Sequence, residues 1–153
     1  MERSAEEFMR EAIALARTNV KSGGRPFGAL LVRDGRVIAR AVNEVNQTKD
    51  PTAHAELLAI RNASQSLGSA SLSGCVVYAS GHPCPMCLAA MYLCGIQGAY
   101  FAYSNEEGEA FGLSTAPIYA QLAREPQAQS LALRPLRPAD EHGLYDEWKR
   151  HQG

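Results

Sequence analysis

Long apolar runs are missing from this chain: nowhere do roughly eighteen uninterrupted apolar residues occur, the length a helix needs to cross a bilayer. An excess of one charge sign is missing too. Fifteen Lys and Arg stand against sixteen Asp and Glu, a formal net charge of −1, so no basic surplus advertises nucleic acid or an anionic membrane as a partner. The start, Met-Glu-Arg-Ser-Ala-Glu-Glu, is charged and no apolar run of export-signal length follows it. A soluble, cytoplasmic protein is expected. Cysteines are few, four in 153 residues, and in a reducing compartment they read as thiols or metal ligands, not as a disulfide framework. With no internal repeat, low-complexity tract or linker, one domain over residues 1–153 is the expectation.

Residues 4–20 read as an amphipathic helix, with Ser4 and Glu7 at capping-box spacing and Phe8, Ala12, Leu15 and Ala16 on one face. Phe27 to Val32 and Val37 to Val42 are apolar runs joined by Asp34-Gly35, a dipeptide that supplies the positive φ angles of a tight hairpin. A polar loop over 43–50 precedes a helical run from Ala53 to Ala63, entered through Pro51-Thr52. Cys75 to Ser80 reads as a buried strand, Pro83 to Cys94 as a second helix and Ala99 to Tyr103 as a fourth strand. Pro117 to Arg124 is expected as a helix, Ser130 to Leu133 as a fifth strand and Asp140 to Arg150 as a terminal helix. This order predicts an α/β fold, a three-layer α/β/α sandwich around a mixed five-stranded sheet.

The chemistry sits in His54-Ala55-Glu56 and Pro83-Cys84-Pro85-Met86-Cys87. Two thiolates and one imidazole make a three-ligand set for zinc, one ion per chain, that leaves a tetrahedral position open for water. Cys84 and Cys87 are three apart, so on a helix both sulfurs face one side. A helix N-terminus lowers a thiol pKa, and Pro83 is expected at that N-terminus, where a missing amide costs nothing. Two thiolates cancel the charge of the dication and make it a milder Lewis acid, so a proton carrier is needed; Glu56 is the candidate. Residues at i and i+2 do not face each other on a regular helix. His54 and Glu56 must therefore lie in a first turn, pointing past its end.

Other readings of these residues exist. A structural zinc site needs a fourth ligand, yet Cys94 stands a helix length from Cys84, and Cys75 opens the preceding strand; both read as buried thiols. A redox C-x-x-C leaves His54 and Glu56 idle. Asn43 is a turn residue on its own chemistry, and Phe27 on an apolar strand is equally a core residue. His82, His142 and His151 have no companion motif and read as solvated or capping. Glu106, Glu107 and Glu109 read as a solvated acidic loop.

H-x-E followed by P-C-x-x-C is the signature of zinc deaminases of nucleobases. On it the chain resembles the cytidine-deaminase-like superfamily over about residues 5–103, and the branch holding bacterial guanine deaminases, yeast-type cytosine deaminase and tRNA adenosine deaminases. It looks most like the guanine deaminases through Gly24-Arg25-Pro26-Phe27-Gly28-Ala29, Asn43, Asp50-Pro51-Thr52-Ala53-His54-Ala55-Glu56 and Pro83-Cys84-Pro85-Met86-Cys87-Leu88. The resemblance implies that His54, Cys84 and Cys87 bind zinc and that Glu56 shuttles protons. It further implies that Asn43 hydrogen-bonds the base, Phe27 lines the pocket and the backbone near Ala55 and Cys84 donates to the ring.

The implied reaction is hydrolytic deamination of a free nucleobase or related small heterocycle, guanine to xanthine being the leading example. Cytosine, isocytosine or tRNA adenosine are the alternatives, and no redox cofactor is required. A homodimer is implied, with the segment over about 139–153 swapped between subunits and Tyr145 and Trp148 over the active site. Helical spacing alone would instead pack those two aromatics onto the sheet. The chain departs from the guanine-deaminase pattern in four places. Residues 111–115 hold no acid where an aspartate is usual, His82 replaces a Glu, Leu93 replaces an aromatic, and the chain ends without a terminal Tyr.

Overall fold

The computed structural model describes residues 2–152. Its backbone divides into two compact units, one running to Ala120 and one from Gln121 onward. In the first unit, α1 (Ala5–Lys21) precedes a hairpin of β1 (Gly28–Arg33) and β2 (Arg36–Val42). A single turn, α2 (Val45–Thr48), leads to α3 (Ala55–Leu67). Then come β3 (Cys75–Gly81), α4 (Pro85–Cys94), β4 (Gly98–Tyr103), α5 (Asn105–Glu109) and α6 (Ala116–Leu122), which crosses the unit boundary.

Each boundary has a local cause. Ser4 caps α1 by accepting from the Glu7 amide, and Asp34 and Gly35 both take positive φ, 50° and 75°, which closes the hairpin with the twist its strands need. Helices α3 and α4 end at Gly68 and Gly95 in left-handed conformation. The 43–50 loop contains the turn of α2, closed by left-handed Lys49. The 104–116 segment is also more ordered than an acidic loop, because Ser104 and Glu107 form a reciprocal capping box that starts α5.

Sheet order is β2-β1-β3-β4, with β1 antiparallel to both neighbours and β3 parallel to β4 across the α4 crossover. Side chains alternate between faces. Leu30, Val32 and Tyr78 pack against Phe8 and Ala12 of α1, while Ala29, Leu31, Val77 and Ala79 pack against α3 and α4 through Ala55, Ala59, Ala63 and Met91. Helices on both faces of a mixed sheet make the expected α/β/α layering. The close crossing of α1 over β1 rests on Gly28, where a Cβ would lie 2.5 Å from the Ala12 carbonyl oxygen.

The fifth strand expected at 130–133 does not form: among the described residues the sheet has four strands. Leu131 and Leu133 alternate as a strand would, but Pro135 and Pro138 follow closely and remove ladder donors, and both leucines are exposed. In the second unit, a 3₁₀ turn (Pro126–Ala128) is followed by an irregular stretch and α7 (Leu144–Gln152). Gln121 accepts from the Ser130 amide there, at 2.8 Å. Helix α7 buries none of its residues, and Tyr145 and Trp148 are exposed.

No described helix is long and apolar enough to cross a membrane.

Candidate active site

Strands β2 and β3 end, and β1 begins, at the same edge of the sheet, because β1 runs antiparallel to both. Helices α3 and α4 start there as well. Ligands of open α/β sheets bind beyond the carboxyl ends of the strands, and here that edge holds a depression. Its walls are Arg25, Phe27, Asn43, His82, Leu113 and Thr115, and its inner part is His54, Glu56 and Cys84.

His54 is the N-cap of α3, with extended φ and ψ of −78° and 149° and no cap hydrogen bond from its side chain. The imidazole is therefore free to point past the helix end, and Glu56 follows in the first turn. Cys84 is the N-cap of α4 and Pro85, not Pro83, is the proline inside the helix start. Pro83 lies outside the helix, and its carbonyl accepts from the Tyr119 hydroxyl. The Cys84 sulfur accepts from the Cys87 amide, which turns both sulfurs to one side.

His54 Nδ1 lies 3.4 Å from Cys84 Sγ and 3.7 Å from Cys87 Sγ, and all three donor atoms fall within 4.8 Å of one another. A tetrahedral zinc with bonds of about 2.0 Å to nitrogen and about 2.3 Å to sulfur sets an N···S edge of about 3.5 Å. The residues fit the ion. Among the described residues no other cluster of His, Cys, Asp or Glu does. Cys75 and Cys94 are buried thiols elsewhere in the core.

The hydrogen bond from Cys87 pulls the Cys84 thiol far below the usual range, with help from His54 and against the opposing effect of burial. The same bond, with burial, holds the Cys87 thiol up, and Cys84 raises His54. A site that already favours a thiolate next to an imidazole is prepared for a cation. Glu56 is 6% exposed, and burial pushes its carboxyl up to about 7.

Asn43 is buried, and its Oδ1 accepts from the Val45 amide at 3.0 Å, so it makes the turn that a strand-end Asn makes while also lining the depression. Phe27 likewise has two roles, packing against the core cluster and lining the depression. Ala55 is fully buried as the first residue of α3. Sequence reasoning gave Arg25 and His82 no lining role, whereas Leu113 and Thr115 fall in the 111–115 segment that the resemblance sets against the base. The His82 ring stacks on Phe101 with centroids 4.5 Å apart and tilts against Tyr119. Its place two residues before Cys84, at the end of a buried strand, was the available signal.

Residues 2–103 match the family model of the cytidine and deoxycytidylate deaminase zinc-binding region. The chain is 34% identical to the guanine deaminase of Bacillus subtilis over 145 residues, 94% of this chain and 93% of that protein. It is 40% identical to the tRNA-specific adenosine deaminase of Aquifex aeolicus over 97 residues, 63% of this chain and 64% of that one. The crystal structure of the Bacillus subtilis guanine deaminase superposes with a TM-score of 0.90 at 33% identity, covering 97% of this chain and 95% of that chain. That of the guanine deaminase from Nitrosomonas europaea gives 0.71 at 29% identity, covering 76% and 70%. The chain belongs to the zinc-binding cytidine and deoxycytidylate deaminase family.

Proposed function

We propose that this protein is a zinc-dependent hydrolase that deaminates a free aminated heterocycle, guanine to xanthine and ammonia being the leading reaction. One observation carries the reading: a nitrogen and two sulfurs at tetrahedral-edge distances, with a buried carboxylate beside them. The similarity to guanine deaminases over nearly the whole chain supports the choice of ring.

His54, Cys84 and Cys87 would hold the metal. Bound zinc supplies Lewis-acid activation of the attacking water. In the overall reaction water adds to the ring carbon bearing the amino group, the C–N bond breaks, ammonia leaves and a carbonyl remains. Glu56 takes a proton from the attacking water and delivers protons to the ring nitrogen and the departing amine. Burial keeps the carboxyl and carboxylate close in free energy near neutral pH, which suits a group that must accept and release in one cycle. Asn43 hydrogen-bonds the base through the amide nitrogen that its turn leaves available, Phe27 bounds the ring, and the helix start at Ala55 offers backbone donors.

A homodimer in the cytoplasm belongs to the same reading. Exposed Tyr92 and Leu93 on α4 and half-exposed Tyr100 and Phe101 on β4 support association. The tRNA adenosine deaminases are the second reading, favoured by their 40% identity over the shared part, but the net charge of −1 gives no basic surplus for RNA.

Zinc-loaded protein incubated with guanine should release ammonia with loss of the purine ultraviolet band. Turnover of cytosine or isocytosine but not guanine would replace the ring and keep the reaction class. Salt-sensitive binding and deamination of a tRNA anticodon stem-loop would favour the second reading.

A further inference from the structure

Burial grades along the depression. Glu56 and Cys84 are buried, His54 is half-buried and Arg25 is exposed, so the reacting end of a ring lies deep and its opposite edge emerges beside Arg25. The backbone there is pinned: the Arg25 carbonyl accepts from Asn19 Nδ2 at 2.8 Å and from the Phe27 amide at 2.8 Å.

Charge is distributed in the same sense. Among the lining residues Glu56 is the only carboxylate and lies deep, while Arg25 is the only fixed cation and lies at the mouth. Among the described residues no carboxylate pairs with the Arg25 guanidinium. A cation at the mouth, without an acidic partner and facing a planar-ring site, is a receptor for oxygen anions.

Resting on the deaminase reading above, we propose that Arg25 is a specificity-determining residue. It selects aminated heterocycles that carry a carboxylate or other oxygen anion on the edge remote from the amino group.

Two matched pairs of probes test this: pterin against pterin-6-carboxylate, and isocytosine against isocytosine-6-carboxylate. Each pair keeps one amino-bearing amidine edge and differs in one anion. Binding is measured on the zinc-loaded Glu56→Gln protein, and ammonia release on the zinc-loaded wild type. In at least one pair the carboxylate should bind about tenfold more tightly, with a preference that shrinks as salt rises. It should fall to near parity in Arg25→Ala and Arg25→Gln and persist in part in Arg25→Lys. Unfolding midpoints of all variants establish that the fold is retained. Equal affinities within both pairs, no binding of any probe, or a preference untouched by Arg25→Ala would overturn the proposal. An Arg25-dependent preference in binding without ammonia from any ring would instead overturn the deaminase reading and leave the anion selectivity standing.

Discussion

Asn19 Nδ2, inside α1, donates to the carbonyl of Asn43 at 2.8 Å. The same amide group reaches the Arg25 carbonyl, also at 2.8 Å, and Gly24 leaves it room, since a Cβ there would lie 2.5 Å from it. One buried side chain thus ties both loops that flank the entrance of β1 and the end of β2. Removing it in Asn19→Ala orphans the Asn43 carbonyl, at about 1–3 kcal/mol for a buried unpaired group, and leaves the Arg25 carbonyl with the Phe27 amide alone. We expect about 1–3 kcal/mol of destabilisation in denaturant titration and a raised KM. Asn19→Asp, similar in shape but without the donors, should be no better; full stability in that variant would show that the brace is not needed.

Glu56→Gln should keep zinc and fold while lowering kcat by about a thousandfold or more, the scale of losing an essential proton carrier. A neutral amide also removes the cost of a buried charge, so its unfolding midpoint should match or exceed that of the wild type. Metal analysis, calorimetry and ammonia release on one preparation separate these effects. Retained activity would remove Glu56 from the mechanism.

Cys84→Ser and His54→Ala should each lose stoichiometric zinc, because three protein donors already leave one position open and two cannot hold the ion well. A chelator should reproduce the loss in the wild type and lower its unfolding temperature, since an ion bound only by the native state stabilises it by mass action. Cys75→Ser and Cys94→Ser should retain the metal. Equal zinc in all four variants would place the ion elsewhere.

The candidate metal-binding cluster was legible because a short motif, spaced by a helix turn, carries both the donors and the local structure that aims them. Hairpin, helices and layering followed from turn chemistry and periodicity. The fifth strand failed because alternation at Leu131 and Leu133 was weighed without Pro135 and Pro138. Helix α5 was missed although Ser104 and Glu107 have the same capping-box spacing that located α1. Arg25 stood in a quoted motif and Leu113 and Thr115 in the 111–115 segment, but which side chains line the depression was not legible, since loops far apart in the chain bring them together.

Glu11 on α1 lies between Arg3, at 2.9 Å, and Arg40 on β2. Partial burial raises its pKa, but the hydrogen bonds and charges of the two arginines outweigh that and leave it below the ordinary value. A depressed native pKa means that protons bind the unfolded chain more readily. The stabilisation is present above the unfolded pKa, near 4.3 for a free Glu, and fades as pH falls through the lower native value. For such partly exposed pairs we expect at most about 1 kcal/mol. Arg40→Ala should cost that much at pH 7 and almost nothing near pH 2, read as a converging pair of urea midpoints.

Gly81 closes β3 with no side chain, and a Cβ there would stand 2.9 Å from Phe27 Cε1 and 3.1 Å from its Cδ1. The obstacle is a ring that can tilt. Gly81→Ala should therefore fold with a cost of about 1–2 kcal/mol, displace Phe27 and raise KM several-fold. Adding Phe27→Leu should relieve the clash, so that the double variant is more stable than the sum of the singles allows. Gly28→Ala makes the contrast, because its Cβ meets the backbone of α1, which has no rotamer to change. That variant should lose the fold outright. An additive double at positions 81 and 27, with KM unmoved by Gly81→Ala, would confine Phe27 to the core.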